Sequence, residues 1–190
     1  MTILIWQSIR LTLVFTVLTG VIYPLAITGV AQLAFPRQAN GSIIVRDGKA
    51  TGSALLAQKF ENPRYFWPRP SAGDFATVPS GASNFGPTSA ALQSNVVARA
   101  TAVRAASKLS ADAPVPGDLV FASASGLDPH ISPEAANLQA TRVADARGIG
   151  AGQVAALVEC FVEPPQFGFL GEPRVNVLLL NLALDQLPAK

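Results

Sequence analysis

Residues 11–35 read LTLVFTVLTGVIYPLAITGVAQLAF and contain no charged side chain. A helix over this stretch spans about 37 Å, which exceeds a hydrocarbon core of about 30 Å. Arg10 is the only charge before Arg37. The competing reading is a cleaved signal peptide, with Arg10 as its basic region and Gly29-Val30-Ala31 as its small-x-small site. The apolar run is longer than the usual signal core of about 7–15 residues, so a retained anchor is expected. The run is not followed by a lipid-anchor cysteine.

Thr12, Thr16, Gly20 and Pro24 recur every fourth residue in the run, and Thr28 continues the row. Small side chains at that spacing let another helix approach closely in lipid. Pro24 lacks a backbone donor and is expected to kink the helix. Arg10 is expected at the interface, because an arginine at mid-bilayer costs about 2.5–3.5 kcal/mol on insertion scales. Basic residues flank the run on both sides, so charge does not orient it. A large domain after a short N-terminal anchor favours an extracytoplasmic location.

The remainder, 36–190, is long enough for one domain with its own core. The expected organisation is therefore 1–35 as an anchor helix and 36–190 as a single small α+β domain. Across the chain, 49% of residues are hydrophobic and 14% charged, with mean hydropathy +0.35. That composition excludes a disordered chain. Net charge is only +2, so the pI near 9.0 reflects few charges and not a basic face. Nucleic-acid binding is disfavoured because it needs clustered Lys and Arg. A single cysteine, Cys160, excludes an intrachain disulfide.

Within the domain, TGSALLAQKF (51–60) reads as a strand. YFWPRPSAGDF (65–75) reads as an edge strand or extended loop because of its prolines, and SGASNFGP (80–87) as a turn cluster. Thr88 or Ser89 caps a helix to about Leu109, with Leu92, Val96, Ala100 and Val103 on one side. Ser132-Pro133-Glu134 starts a second helix that stops at Gly148. A third runs from about Ala151 to Val162, ahead of Pro164-Pro165. LVFASAS (119–125) and RVNVLLLNLAL (174–184) read as strands, the latter largely buried.

Chemistry is sparse. His130 is the only histidine, and Ser123, Ser125 and Asp128 close to it in sequence invite a hydrolase reading, with Ser125, Asp128 and His130 as its candidate residues. A G-x-S-x-G elbow is absent. The alternative is a loop in which Asp128 and His130 bond to the backbone around Pro129. A metal site is not expected from one histidine and one aspartate. The glycines at 148, 150 and 152 join two helices, which is not the context of a dinucleotide fingerprint, and a P-loop is absent. Arg64, Tyr65, Trp67 and Arg69 form an aromatic and basic group of the kind enriched at protein interfaces. The same rings could instead fill the core, with the arginines at its edge.

Five blocks in order carry a resemblance: TGVIYPLAITGVAQLAFP (19–36), GSALLAQKF with YFWPRPSA (52–60, 65–72), SGASNFGPTSAAL (80–92), SGLDPHISPEAANLQATRVADARG (125–148) and GEPRVNVLLLNLALD (171–185). The chain resembles the C subunit of Kdp-type potassium-transporting ATPases over nearly its whole length. Ala57 and Ala82 depart from the glycine or serine types expected there. The resemblance implies a non-catalytic subunit of an ATP-driven potassium importer in a bacterial inner membrane. Its partners would be a channel-like potassium-translocating chain and a P-type ATPase chain. Its implied role is assembly and catalytic chaperoning, raising the pump's affinity for ATP. The chain lacks the D-K-T-G-T phosphorylation motif and a T-V-G-Y-G-like filter. The sequence offers no recognisable cofactor motif, and Gln93 is the one candidate polar contact to nucleotide.

Overall fold

In the computed structural model, which describes residues 1–187, the chain forms two compact units divided between Thr51 and Gly52. Residues 188–190 of the expected domain lie outside the described residues.

The first unit is mostly helix. Helix α1 (Thr2–Val17) continues through one π-helical turn (Leu18–Ile22) into α2 (Tyr23–Ala34). The turn has a local cause. Pro24 has no N–H to donate to the carbonyl four residues back. Tyr23, just before it, donates to Leu18, five residues back. The disturbance expected at Pro24 therefore takes the form of a widened turn on its N-terminal side. None of the residues in these three segments is buried. Ser8 and Thr19 return their hydroxyls to the Leu4 and Phe15 carbonyls at 2.9 and 2.7 Å, so neither leaves an unpaired donor on the apolar surface. A short helix α3 (Pro36–Ala39) and strand β1 (Ile43–Arg46) follow.

Strand β2 (Lys49–Ser53) pairs with β1. The strand expected over 51–60 ends there, because the Ser53 hydroxyl accepts from Leu55 N–H and turns the chain. Helix α4 (Ala90–Ala106) is capped by Ser89, whose hydroxyl accepts from Leu92 N–H. Its Ala100 and Val103 face the core.

The run 119–125, expected as a strand, is not one. A single 3-10 turn (Gly117–Leu119) leads into it, and Phe121 N–H bonds back to the Gly117 carbonyl. Leu119 and Val120 are buried nonetheless. The apolar run records burial, and no strand among the described residues supplies a ladder to it.

Strand β3 (His130–Ile131) precedes α5 (Pro133–Arg147). Ser132 caps α5 by accepting from Ala135 N–H at 3.0 Å. Gly148 ends it in the left-handed conformation, φ +69°. Helix α6 (Ala151–Cys160) and strand β4 (Val162–Glu163) follow. Of its apolar stripe, Val154 and Val158 are fully buried, while Leu157 and Phe161 pack at the edge.

Strand β5 (Arg174–Asn176) sits between β3 and β4, antiparallel to both, with His130 opposite Asn176 and Val162 opposite Val175. From Val177 the chain is helix, α7 (Val177–Leu184). The expected strand over 174–184 is therefore correct for three residues only. The Asn176 side chain caps the helix by accepting from Leu179 N–H at 3.1 Å. Val177, Leu180, Asn181 and Leu184 are buried, at helical spacing i, i+3, i+4, i+7.

The second unit is thus a small α+β domain. Phe66, Ile131, Val143, Val158, Val175 and Leu180 lie at the centre of its core. Burying each such side chain contributes about 1.5–3 kcal/mol.

Candidate functional site

The chemistry-bearing residues collect in two places in the domain. The first is the segment around 62–72, which lies on α5 and α7. Pro63, Pro68 and Pro70 keep it out of a ladder, yet Phe66 is fully buried within it. Buried backbone groups must find partners, and side-chain amides supply them. Asn181 Oδ1 accepts from Phe66 N–H at 2.8 Å, and its Nδ2 donates to the Phe66 carbonyl at 3.0 Å. Gln139 does the same for Trp67, accepting from N–H at 2.8 Å and donating to the carbonyl at 3.2 Å. Both amide side chains are about 1% exposed. Two helices therefore hold an extended strap through side chains in the way a strand would hold it through its backbone.

Arg142 completes the clamp. Its guanidinium donates to the Pro63 carbonyl at 2.6 Å, the Tyr65 carbonyl at 3.1 Å and Gln139 Oε1 at 2.7 Å. Its carbon Cζ stands 4.0 Å from the centre of the Trp67 ring. Burial lowers this guanidinium to about 10, so it remains a cation at neutral pH. Arg147 donates to the Arg64 carbonyl at 2.7 Å, pairs with Asp185 at 2.7 Å and lies over the Tyr65 ring at 4.8 Å.

Three of the four residues singled out as an interface group are thereby engaged within the chain. Tyr65 donates to Asp185, Trp67 packs under Arg142, and Arg69 pairs with Asp128 at 2.9 Å. Arg64 has an exposed side chain. Gln139, Arg142 and Asn181 were not singled out from sequence. The signal for Asn181 was present: an amide inside the apolar run VNVLLLNLAL needs a buried partner.

The second place is an open cavity of about 410 Å³ lined by Arg69, Asp118, Asp128, His130, Ser132 and Arg174, among others. Asp128 Oδ1 accepts from His130 N–H at 3.1 Å, across Pro129, and its Oδ2 accepts from Arg69. The His130 ring lies between two carboxylates, with Nδ1 3.7 Å from Asp128 and Nε2 3.9 Å from Glu163. Glu163 in turn pairs with Arg174 at 3.0 Å. Burial by itself raises the Asp128 carboxyl; the hydrogen bonds from His130 and the charge of Arg69 outweigh it and hold the group below the ordinary range.

This arrangement is not a nucleophilic triad. Ser125 Oγ accepts from Leu127 N–H at 3.1 Å and makes no hydrogen bond to His130 among the described residues. Asp128 is bonded to the backbone around Pro129, the loop alternative. Arg69 with Asp128 and Arg174 with Glu163 form two ion pairs, and the His130 ring lies between their carboxylates. Among the described residues there is no group of three or more His, Cys, Asp or Glu placed to hold a metal. Gln93 is exposed on α4. Thr12, Thr16, Gly20 and Pro24 are exposed on the N-terminal helix, and a Cβ placed at Gly20 meets nothing within 4 Å. Nothing among the described residues requires glycine there.

Comparison with known proteins covers almost the whole chain. Residues 5–186 match the family model described as "KdpC: K+-transporting ATPase, c chain". A protein of Methylococcus capsulatus named potassium-transporting ATPase KdpC subunit is 55% identical over 95% of this chain and 96% of its own length. Proteins of the same name from Geobacter sulfurreducens and Sorangium cellulosum are 52% and 56% identical, over 95% and 94% of this chain and 96% and 95% of their own lengths.

Proposed function

Because the chain belongs to the KdpC family, the c chains of K+-transporting ATPases, we propose that it is a membrane-anchored, non-catalytic subunit of a potassium import complex. It crosses the bacterial inner membrane once and carries its domain on the extracytoplasmic side. Its partners are a channel-like potassium-translocating chain and a P-type ATPase chain. It assembles and stabilises them and raises the affinity of the ATPase chain for ATP.

One observation carries this reading. The helix Thr2–Ala34 runs 33 residues with a mean hydropathy of 2.0 in its most apolar window, and that window is entirely unburied. Such a surface is stable only against lipid or other membrane helices. The row Thr12, Thr16, Gly20, Pro24 is the face offered to those helices.

An extracytoplasmic domain does not reach cytoplasmic ATP. The effect on ATP affinity is then a coupling free energy: this subunit binds one state of the pump more tightly than another and shifts the equilibrium between them. Gln93 as a direct nucleotide contact belongs to the opposite orientation.

The test is purification of the tagged full-length chain in mild detergent from membranes of potassium-limited cells. A larger P-type ATPase chain and a channel-like chain in fixed ratio are expected; recovery of the chain alone overturns the reading. In the same complex, the ATP KM of the pump is expected to rise when this subunit is removed, and an unchanged KM removes the chaperone role. Orientation is read by a membrane-impermeant thiol reagent on Ser107→Cys in whole cells, with the exposed Cys160 first replaced by serine. Labelling only after lysis overturns the extracytoplasmic placement.

A further inference from the structure

The first unit carries more than the apolar helix. Beyond Phe35 the chain does not leave the helix end as a free tether. Ala39 and Asn40 N–H bond back to the Phe35 and Pro36 carbonyls at 2.9 and 3.2 Å, and Ser42 N–H returns to the Arg37 carbonyl at 2.9 Å. The Asn40 amide also pairs with the Gln32 amide on α2, at 3.1 and 3.3 Å. Consecutive Cα atoms are about 3.8 Å apart, so Arg37 lies within about 8 Å of Phe35. Strand β1, which starts after Ser42, therefore starts beside the helix end. Asp47 and Gly48, both at positive φ, turn the chain into β2. The result is a two-stranded ribbon with no third strand among the described residues, an arrangement that is marginal in water by itself. Successive side chains on a strand point to opposite faces. Ile44 and Arg46 are half-buried, whereas Ile43 and Val45 on the other face are 54% and 60% exposed.

What covers that face follows from where it is tied. As a helix the charge-free run 11–35 is about 37 Å long, against a hydrocarbon core of about 30 Å with a headgroup layer about 5–8 Å deep on each side. A run seated across that core ends at Phe35 in or beside the headgroup layer, and Leu33 and Phe35 keep their apolar side chains exposed to the last turn. The ribbon begins at the same level, so the surface nearest to it is the bilayer. Charge agrees with this. Arg37 and Lys49 are exposed and make no ion pair among the described residues. Such side chains lay their aliphatic stems along an apolar surface and hold their charges at anionic headgroups. We propose that the β1–β2 ribbon is a second membrane-contact element. Its Ile43–Val45 face rests in the headgroup layer of the leaflet where the helix ends, with Arg37 and Lys49 on the phosphates of anionic lipid. The assignment rests on the membrane reading of the helix given above. It adds a contact off the helix axis, which stops the anchor from turning about that axis.

The experiment uses the full-length chain with Cys160→Ser, one new cysteine at a time labelled with a bimane dye, in nanodiscs of equal parts brominated phosphatidylcholine and phosphatidylglycerol. The dye is expected to be quenched at Ile43→Cys and Val45→Cys. It is expected to stay bright at Val97→Cys, a position of the second unit with a similar exposure of 59%. Equal quenching at 97 overturns the assignment, because the dye and not the ribbon is then seeking lipid. Val30→Cys, within the apolar run, reads the anchor by itself. Quenching at 30 but not at 43 and 45 refutes the ribbon contact and leaves the anchor, whereas no quenching at 30 ends both. The same labels are then read in the purified complex reconstituted in the same lipids. Retained quenching at 43 and 45 is expected; its loss there gives the face to a partner chain and overturns the choice of lipid. Arg37→Gln/Lys49→Gln is expected to reduce the quenching at 45, and undiminished quenching refutes the phosphate contacts.

Discussion

Replacing Asn181 tests whether the strap 62–72 is held by side-chain amides. Asn181→Ala removes one acceptor and one donor from a site that is 1% exposed, and it leaves both the N–H and the carbonyl of Phe66 buried without those partners. Each unsatisfied buried group costs about 1–3 kcal/mol, so the pair is expected to cost about 2–6 kcal/mol. For a domain of this size that is a fall in Tm of roughly 6–18 °C. Thermal unfolding of the full chain in detergent measures it, followed by the fluorescence of Trp67, with Trp6 replaced by phenylalanine to clear the background.

Asn181→Asp supplies the control. Ionised, it still accepts from Phe66 N–H, but it faces the Phe66 carbonyl with a second acceptor and buries a charge. Both effects raise its folded-state pKa above the unfolded value. Its deficit relative to Asn is therefore full at neutral pH and shrinks as pH falls through the raised folded value, where the protonated carboxyl donates again. A loss below about 1 kcal/mol for the alanine variant, or an aspartate variant as stable as Asn at neutral pH, would refute the clamp.

Three other outcomes are expected. Gly148 occupies the left-handed region at φ +69° with open space at its Cβ position; Gly148→Ala is expected to cost about 1–2 kcal/mol from backbone conformation alone, read by urea unfolding. The Asp128 carboxyl is held below its unfolded value, so it contributes stability above the unfolded pKa that is lost as pH falls through the folded one. An Asp128→Asn variant should lack that part of the acid sensitivity, and identical stability profiles across the acidic range refute the assignment. Gly20→Leu should leave the unfolding of the domain unchanged while reducing recovery of partner chains, since a Cβ there meets nothing within 4 Å among the described residues; full recovery removes Gly20 from the packing face.

The N-terminal helix and the caps of α4 and α5 were legible in the sequence because their causes are local. A charge-free run, a Ser before an apolar stripe and a Gly after it each act within a turn or two of the chain. The strands at 119–125 and 174–184 were misread for the opposite reason. Apolar residues in short runs report burial, and burial alone does not distinguish a strand from a helix or a buried loop. What separated them was remote. Asn176, besides its local cap on α7, donates to the Ala54 carbonyl at 2.8 Å, while Arg99 reaches the Val120 carbonyl at 2.9 Å.

The group at 64–69 shows the same division. Its aromatic and basic composition was plain in the sequence, and so was the bar that its prolines set against a strand. That Trp67 packs under Arg142, and that the backbone of 66–67 takes its hydrogen bonds from Gln139 and Asn181, depends on α5 and α7 being brought to either side of it. These partners lie 72 to 115 residues along the chain. By itself the sequence determined a family, an apolar N-terminal helix and the helix ends, all of which rest on order and nearest neighbours. Only the tertiary structure decided which polar side chains are spent inside the molecule and which apolar ones are left outside, because that allocation is made by contacts between segments far apart in the chain.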